Sequence, residues 1–352
     1  TDKRLFTGAS DKLKADKVKM AGMADISRGL EGKSAGVSVQ NLSGTFGTAP
    51  KIRVRGATSI MGSSKPLWVV DGVIQEDVVD VGADDLSSGD ATTLLSSAIA
   101  GLNADDIESF QILKDGSATS IYGAKAMAGV IVITTKKGRS GSSSFSYTGE
   151  FTSRFVPSYR DYNIMNSQDQ MEVYNEMERK GWLNFARVYN YSSSGIYGKM
   201  YHLTHDYDPT TGVFGLQNTP EARANYLRDA EMRNTNWFNE LFSPSLIQNH
   251  SLSFSGGTKN LQTYVSVSAM LDPGWMRASN VRRYTGNLNA TYTFSPKLSV
   301  SALINLSSRM QRAPGTVTQD ANAATGEVSR GFDINPFSYA LNTSRTLDPN
   351  EF

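Results

Sequence analysis

The chain has 352 residues, a net charge of +1 and no cysteine. It is long enough for two domains, carries no global field to draw in nucleic acid or lipid phosphate, and can build neither disulfides nor a thiolate metal site. No run of about 18 apolar residues marks a transmembrane helix, and a mean hydropathy of −0.35 suits a soluble protein and equally a membrane β-barrel, whose walls show alternate residues to lipid and to a wet lumen.

The first 140 residues read as a compact α/β or α+β domain. No leader-like segment opens them, and the abrupt start reads as the interior of a longer protein. Residues 23–30 are a short helical candidate. Residues 35–40 (AGVSVQ) and 51–55 (KIRVR) alternate like strands, which puts Arg53 and Arg55 on one face and Ile52 and Val54 on the other. Asp71-Gly72 between two β-rich runs predicts a hairpin, because both positions accept positive φ. Residues 107–113 and 130–135 are further strands, and the run VIVITT predicts burial on both faces. Between them Asp115-Gly116 turns the chain, and 117–122 predicts a short helix with Ser117 near its N-cap. Gly56, Gly72, Gly116, Gly123 and Gly129 read as backbone turn positions. Residues 57–65 and 78–102 are loops, the second long enough to suggest function.

After residue 140 the period changes to two. Phe145, Tyr147 and Phe151 alternate with Ser146, Thr148 and Thr152; the segments 251–255, 261–271, 283–294 and 298–307 alternate in the same way. Segments of roughly ten residues with an apolar face and a face of Ser, Thr and Asn match tilted membrane strands. Phe145, Phe151, Leu252, Val265, Val267, Leu288, Tyr292, Val300 and Ile304 are therefore expected on a lipid-facing side. Short connections at 256–260 and 295–297 alternate with longer ones at 156–248 and 272–280, as barrel turns and outer loops do. Inside the longest, 167–180 predicts a helix with a Ser167/Gln170 capping box, and 219–233 a second helix.

Few motifs carry chemistry. Gly32-Lys33-Ser34 lacks the earlier glycine of a phosphate loop, since position 27 is Ser27. His202 and His205 stand three apart near Asp206 and Asp208, with no third ligand fixed by spacing. Asp84-Asp85 reads as a loop charge pair and Asp105-Asp106 as a helix start. No nucleophile–base arrangement emerges, so neither an enzyme, a cofactor nor a metal site is read.

Three blocks in order carry a resemblance: IRVRG at 52–56, PLWVVDGV at 66–73, and IESFQILKDGSATSIYGAKAMAGVIVITTKKG at 107–138. Together they resemble the plug domain of TonB-dependent outer-membrane transporters, closest to the SusC/RagA branch. Residues 234–258 and 282–292 resemble early barrel segments of that branch. The resemblance implies an α+β plug domain (1–140) followed by the N-terminal antiparallel strands (141–352) of an incomplete transmembrane β-barrel of about 22 strands, with a long outer loop at about 156–248. It implies TonB-dependent import across the Gram-negative outer membrane, energised through TonB with ExbB and ExbD. A SusD-like surface lipoprotein is the implied partner. The cargo is an oligosaccharide first and a peptide second; the bilayer surrounds the wall, and nucleic acid is not a partner.

The same resemblance implies that the plug arginines Arg53 and Arg55 pair with acidic barrel residues and hold the plug shut. Gly56, Asp71, Gly72, Asp115, Gly116 and Gly123 are expected at plug turns. Ser59, Ser63, Ser64, Asp84 and Asp85 are expected on loops facing substrate. Two alternatives stand beside import of this kind: a siderophore or cobalamin receptor, and a soluble β-rich binding or adhesin protein.

Overall fold

Residues 10–20, 22, 25–40, 50–54, 66–75, 99, 101–114, 120–190, 195–312, 319–321, 328–330 and 335–351 are described by a computed structural model. The chain divides into two compact units, Thr1–Phe155 with Pro244–Asn335, and Val156–Ser243 with Pro336–Phe352.

The first unit begins with the plug. Strand β1 (Ser10–Lys14) leads into one helical turn, α1 (Ala15–Val18), and a 3-10 helix follows at Ile26–Leu30. The 3-10 helix stands within the stretch expected to be helical. β2 (Val37–Gln40) and β3 (Lys51–Val54) form a separate antiparallel pair. β4 (Leu67–Val70), β5 (Val73–Gln75), β6 (Ile107–Leu113) and β7 (Val130–Thr135) join β1 in a sheet of order β1-β6-β7-β4-β5. β7 runs antiparallel to β6 and parallel to β4. Its alternate residues serve opposite faces. Ile131 and Ile133 pack with Trp68, Val70, Phe110 and Ile112, while Val130 packs with Val69, Leu113 and Ala126. The unbroken apolar run is thus explained by a central strand covered on both sides.

The β4–β5 turn is the expected one. Asp71 takes φ 48 and Gly72 φ 89, and the Asp71 carboxylate accepts hydrogen bonds from Thr135 N at 2.9 Å and Thr135 Oγ1 at 2.5 Å. The helix expected at 117–122 differs. It is a 3-10 segment, Ser120–Ala126, interrupted at Gly123, whose φ is 70. A glycine in that conformation breaks the run that an α-helix needs. Asp115, Gly116 and Ser117 lie outside the described residues, as do Arg55, Gly56, Ser59, Ser63, Ser64, Asp84 and Asp85.

The wall follows as five antiparallel strands: β8 (Ser144–Arg154), β9 (Ser245–Gly257), β10 (Leu261–Asp272), β11 (Asn280–Ser295) and β12 (Leu298–Arg312). Each pairs with its neighbour in sequence, so the sheet is an up-and-down meander, bounded among the described residues by β8 and β12. Period two separates its faces. Phe145, Phe151, Val265, Val267, Tyr292, Val300 and Ile304 are exposed on one face, and Leu252 and Leu288 share it by register. Ser251, Ser266, Ser268, Asn287 and Asn289 are buried on the other, toward the plug. Among the described residues no helix is long and apolar enough to cross a membrane, which says nothing about strands.

The second unit is largely helical. Helix α2 (Ser167–Arg179) starts one residue earlier than a Ser167/Gln170 box would place it. Asn166 is the cap, accepting from Asp169 N at 2.8 Å. Ser167 is buried instead, donating to Arg345 O at 2.7 Å and accepting from Asn234 N at 2.8 Å, and Gln170 Oε1 accepts from Ser344 Oγ at 2.7 Å. Tertiary contacts therefore claim both residues of the expected box. α3 (Phe185–Val188) and α4 (Ile196–Leu203) come next, and Tyr189 stacks on His202 with ring centroids 4.4 Å apart. α5 (Pro220–Arg233) is the helix expected at 219–233; Thr219 caps it and it ends on Asn234 in the left-handed region. α6 (Trp237–Leu241) and α7 (Pro336–Asn342) complete the unit, and the Arg345 guanidinium sits 4.2 Å over the Tyr159 ring.

Candidate functional site: the seam between plug and wall

The inward wall face meets two short stretches of plug, and each is shaped by local sequence. The first is 103–106. Asn103 Oδ1 accepts from Asp105 N and so begins a 3-10 turn, Ala104–Asp106, with two carboxylates at its start. The amide of Asn103 is left free to donate across the seam, to Ser251 Oγ at 3.1 Å. Asp106 is 5% exposed and accepts from the Tyr264 hydroxyl at 3.0 Å. Burial raises its pKa above the usual 3.8; hydrogen bonds from Ser266 and Tyr264 work against that rise, Asp105 adds to it and Lys136 opposes it.

The second stretch is 19–28. Lys19 Nζ bridges plug and wall, 2.7 Å from Asp105 and 3.3 Å from Glu150 on β8. Burial pulls the Lys19 pKa down, but these two carboxylates outweigh it and hold the amine above its ordinary value. Gly22 N donates to Glu150 Oε1 at 3.1 Å, and Arg154 Nη2 donates to Gly22 O at 2.9 Å. Gly22 has φ +73, and a Cβ there would stand 2.8 Å from Thr152 Cγ2. Only glycine lets the backbone come this close to the strand. Arg154 also reaches Asp272, at 3.2 Å.

Beside Gly22 lies an arginine-rich cluster. Asp25 is 4% exposed and begins the 3-10 helix by accepting from Ser27 N at 2.9 Å. Its charge acts on three guanidiniums, Arg28 of the plug and Arg283 and Arg309 of the wall. Burial lowers the Arg28 pKa, with Asp25 opposing the shift and Arg154 adding to it. Charges of both signs stand on each side of the seam: Lys19 of the plug meets Glu150 of the wall, and Asp25 of the plug faces Arg283 and Arg309 of the wall. Arg53 lies on β3, half-buried, and its Nε has no hydrogen-bond partner among the described residues. A cavity of about 280 Å³ runs along the seam between Gln75, Asn103 and Asp106 on one side and Thr285, Asn287 and Asn305 on the other.

Sequence reasoning placed Arg283 on the polar side of its strand but gave it no role. The usable signal was a charge in phase with Thr285, Asn287 and Asn289, on a face otherwise free of charge. Asp25 and Lys19 gave no such signal, because their partners are distant in the chain. Among the described residues no group of three or more His, Cys, Asp or Glu side chains could hold a metal.

Chemically, the seam is a set of bonds that tie a small domain to a sheet without covalent linkage. This arrangement has known counterparts. Residues 2–130 match the TonB-dependent receptor plug domain. TonB-dependent receptor SusC of Bacteroides thetaiotaomicron is 29% identical over 82% of this chain, and TonB-dependent receptor P26 of Formosa agariphila is 27% identical over 86%. The chain spans about a quarter of their length, 23% and 25%. Among solved structures, the RagAB peptide importer in its closed-closed and open-open states superposes with a TM-score of 0.62 at 25% identity, covering 87% and 88% of this chain and 31% of that one. Residues 2–130 thus match the plug domain of TonB-dependent receptors, and the chain as a whole is similar to receptors of the SusC/RagA type over their plug and first barrel strands.

Proposed function

We propose that this chain is the gate and first wall segment of an active importer in the Gram-negative outer membrane. Residues 1–140 act as the plug, 141–352 as the start of the barrel, and about 156–248 as an outer loop. The observation that carries this reading is the seam. A domain without covalent ties there is fastened through buried polar groups such as Asp106–Tyr264 and Asn103–Ser251 to the inward face of a sheet whose other face is apolar. Such bonds fix a position firmly, yet each is individually breakable at modest cost.

The cargo is an oligosaccharide or, second, a peptide, taken up with a SusD-like lipoprotein and energised by TonB with ExbB and ExbD. Likeness to the RagAB peptide importer supports the second cargo, and the oligosaccharide rests on the resemblance read from the sequence. In this reading Arg53 and Arg55, with loop residues Ser59, Ser63, Ser64, Asp84 and Asp85, belong to the plug surfaces that move or meet substrate. The test is uptake of labelled oligosaccharides and peptides by cells carrying the full-length protein, with and without TonB. Uptake of either class that vanishes without TonB supports the proposal. Uptake indifferent to TonB overturns it.

A further inference from the structure

The outward wall face carries a hydrogen-bonded Tyr–His pair among its apolar residues. Tyr147 of β8 and His250 of β9 share a hydrogen bond, Oη to Nδ1, at 2.7 Å. Their rings stack at 6.1 Å, and Phe151 meets the imidazole edge-on at 5.5 Å. By register His250 stands opposite Gly149 on one side and Ala269 on the other. These small neighbours leave a groove of about 250 Å³, lined by Tyr147, His250, Leu252, Val267 and Ala269.

A neutral Tyr–His pair holds two polar hydrogens, one on the phenol and one on the imidazole. The shared bond uses one of them. If the phenol donates, His250 Nε2–H is left over; if the imidazole donates, the phenol O–H is left over. The described residues offer the pair no other hydrogen-bond partner. In water this hydrogen would be satisfied by solvent. In hydrocarbon it has no such partner, and an unmet donor is disfavoured there.

We propose that this groove binds the acyl chain of a membrane lipid, with the chain's ester carbonyl accepting the spare hydrogen of the Tyr147–His250 pair. The inference rests on the reading that this sheet stands in the outer membrane. The occupant follows from the face itself. Phe145, Phe151, Val265, Val267, Val300 and Ile304 surround or continue the groove as an exposed apolar surface, so what lies against it is acyl chain. The acceptor that an acyl lipid carries at the head of each chain is a carbonyl.

The test uses the full-length transporter in nanodiscs of diacyl phosphatidylethanolamine, or of its diether analogue, which lacks the carbonyls. Native mass spectrometry counts retained lipid after release. Wild type should keep the diacyl lipid over the diether by about fivefold in bound-to-free ratio, the scale of one neutral hydrogen bond. Tyr147→Phe combined with His250→Phe should abolish the preference, whereas either substitution alone leaves one hydrogen to donate and should keep it. Equal retention of both lipids by the wild type overturns the lipid site while leaving the importer reading intact. So does a dimer that His250→Phe dissolves, since the groove would then hold a second copy. Recovery of the full-length protein outside the outer-membrane fraction overturns both readings.

Discussion

Tyr264 on β10 and Asp106 in the plug are joined across the seam by a hydrogen bond of 3.0 Å, and they are 3% and 5% exposed. Removing the hydroxyl leaves a buried carboxylate short of a donor, which costs about 1–3 kcal/mol. Tyr264→Phe in the full-length protein should therefore speed amide exchange in residues 103–107 while sparing the β11–β12 ladder. Unchanged exchange at 103–107 would show that the bond contributes nothing to plug seating.

Asp25 is the acid set among Arg28, Arg283 and Arg309. Neutralising it takes the nearby negative charge away from buried Arg283 and half-buried Arg28 and Arg309. Asp25→Asn should raise ion leak through the reconstituted transporter in planar bilayers. The doubly substituted Arg53→Ala, Arg55→Ala protein should also leak if those residues pair with the wall. Leak from the double variant with none from Asp25→Asn would move the latch back to the arginines of the plug.

Burial raises the Asp106 pKa, which fixes a sign. Between its ordinary 3.8 and the raised folded value, the folded state binds more protons than the unfolded one. Stability of the seam should thus fall as pH rises through that window, and recover as pH is lowered. Asp106→Asn should flatten this slope in thermal unfolding monitored across acidic pH. A slope that survives the substitution must come from other groups.

Much of the wall was legible because alternation reports burial directly. On β11, Tyr284, Leu288 and Tyr292 face outward while Arg283, Asn287 and Asn289 face the plug. The Asp71-Gly72 turn was legible for a local reason, since few residues accept its backbone. β1 was not legible. Its sequence, SDKLK, has no apolar alternation, because an edge strand is held by its ladder to β6 as much as by burial. The seam was the least legible part. Lys19 finds Glu150, and Asp25 finds Arg283, through folding rather than spacing. The Asn166 cap was missed because a neighbouring serine gave an equally good local pattern and tertiary contacts took it.

Gly129 and Gly72 both have positive φ but different surroundings. At Gly129, φ is +100 and a Cβ would stand 2.8 Å from Val54 Cβ; at Gly72, φ is +89 with nothing within 4 Å. Gly129→Ala combines strain with overpacking and should cost roughly 2–5 kcal/mol. Gly72→Ala bears strain alone, about 1–2 kcal/mol. Chemical denaturation should rank them in that order, and a reversed ranking would mean that Val54 yields easily.

In the second unit, Arg345 donates to Thr235 O at 3.1 Å and covers the Tyr159 ring. It ties the segment after α7 to the stretch before α6. Arg345→Ala should expose 336–351 to limited proteolysis. Arg179→Ala, which breaks an exposed pair with Glu176, should leave cleavage unchanged. Equal protection of both variants would show that the bonds from Arg233, Thr235 and Trp237 hold the segment without the Arg345 guanidinium.

The order β1-β6-β7-β4-β5 also sets how the plug bears load. Among the described residues β1 is an edge strand, bonded to β6 alone, and it lies on the N-terminal side. β7 is central, and after it only residues 136–143 lead to β8, with Gly138 pressed against the Thr263 backbone. Tension entering from the N-terminal side meets the compliant edge first and can part it rung by rung. The same tension reaches β7 only through two ladders that resist together. The domain is therefore soft at one margin and moored at the other, where the short link from β7 to β8 holds it to the wall.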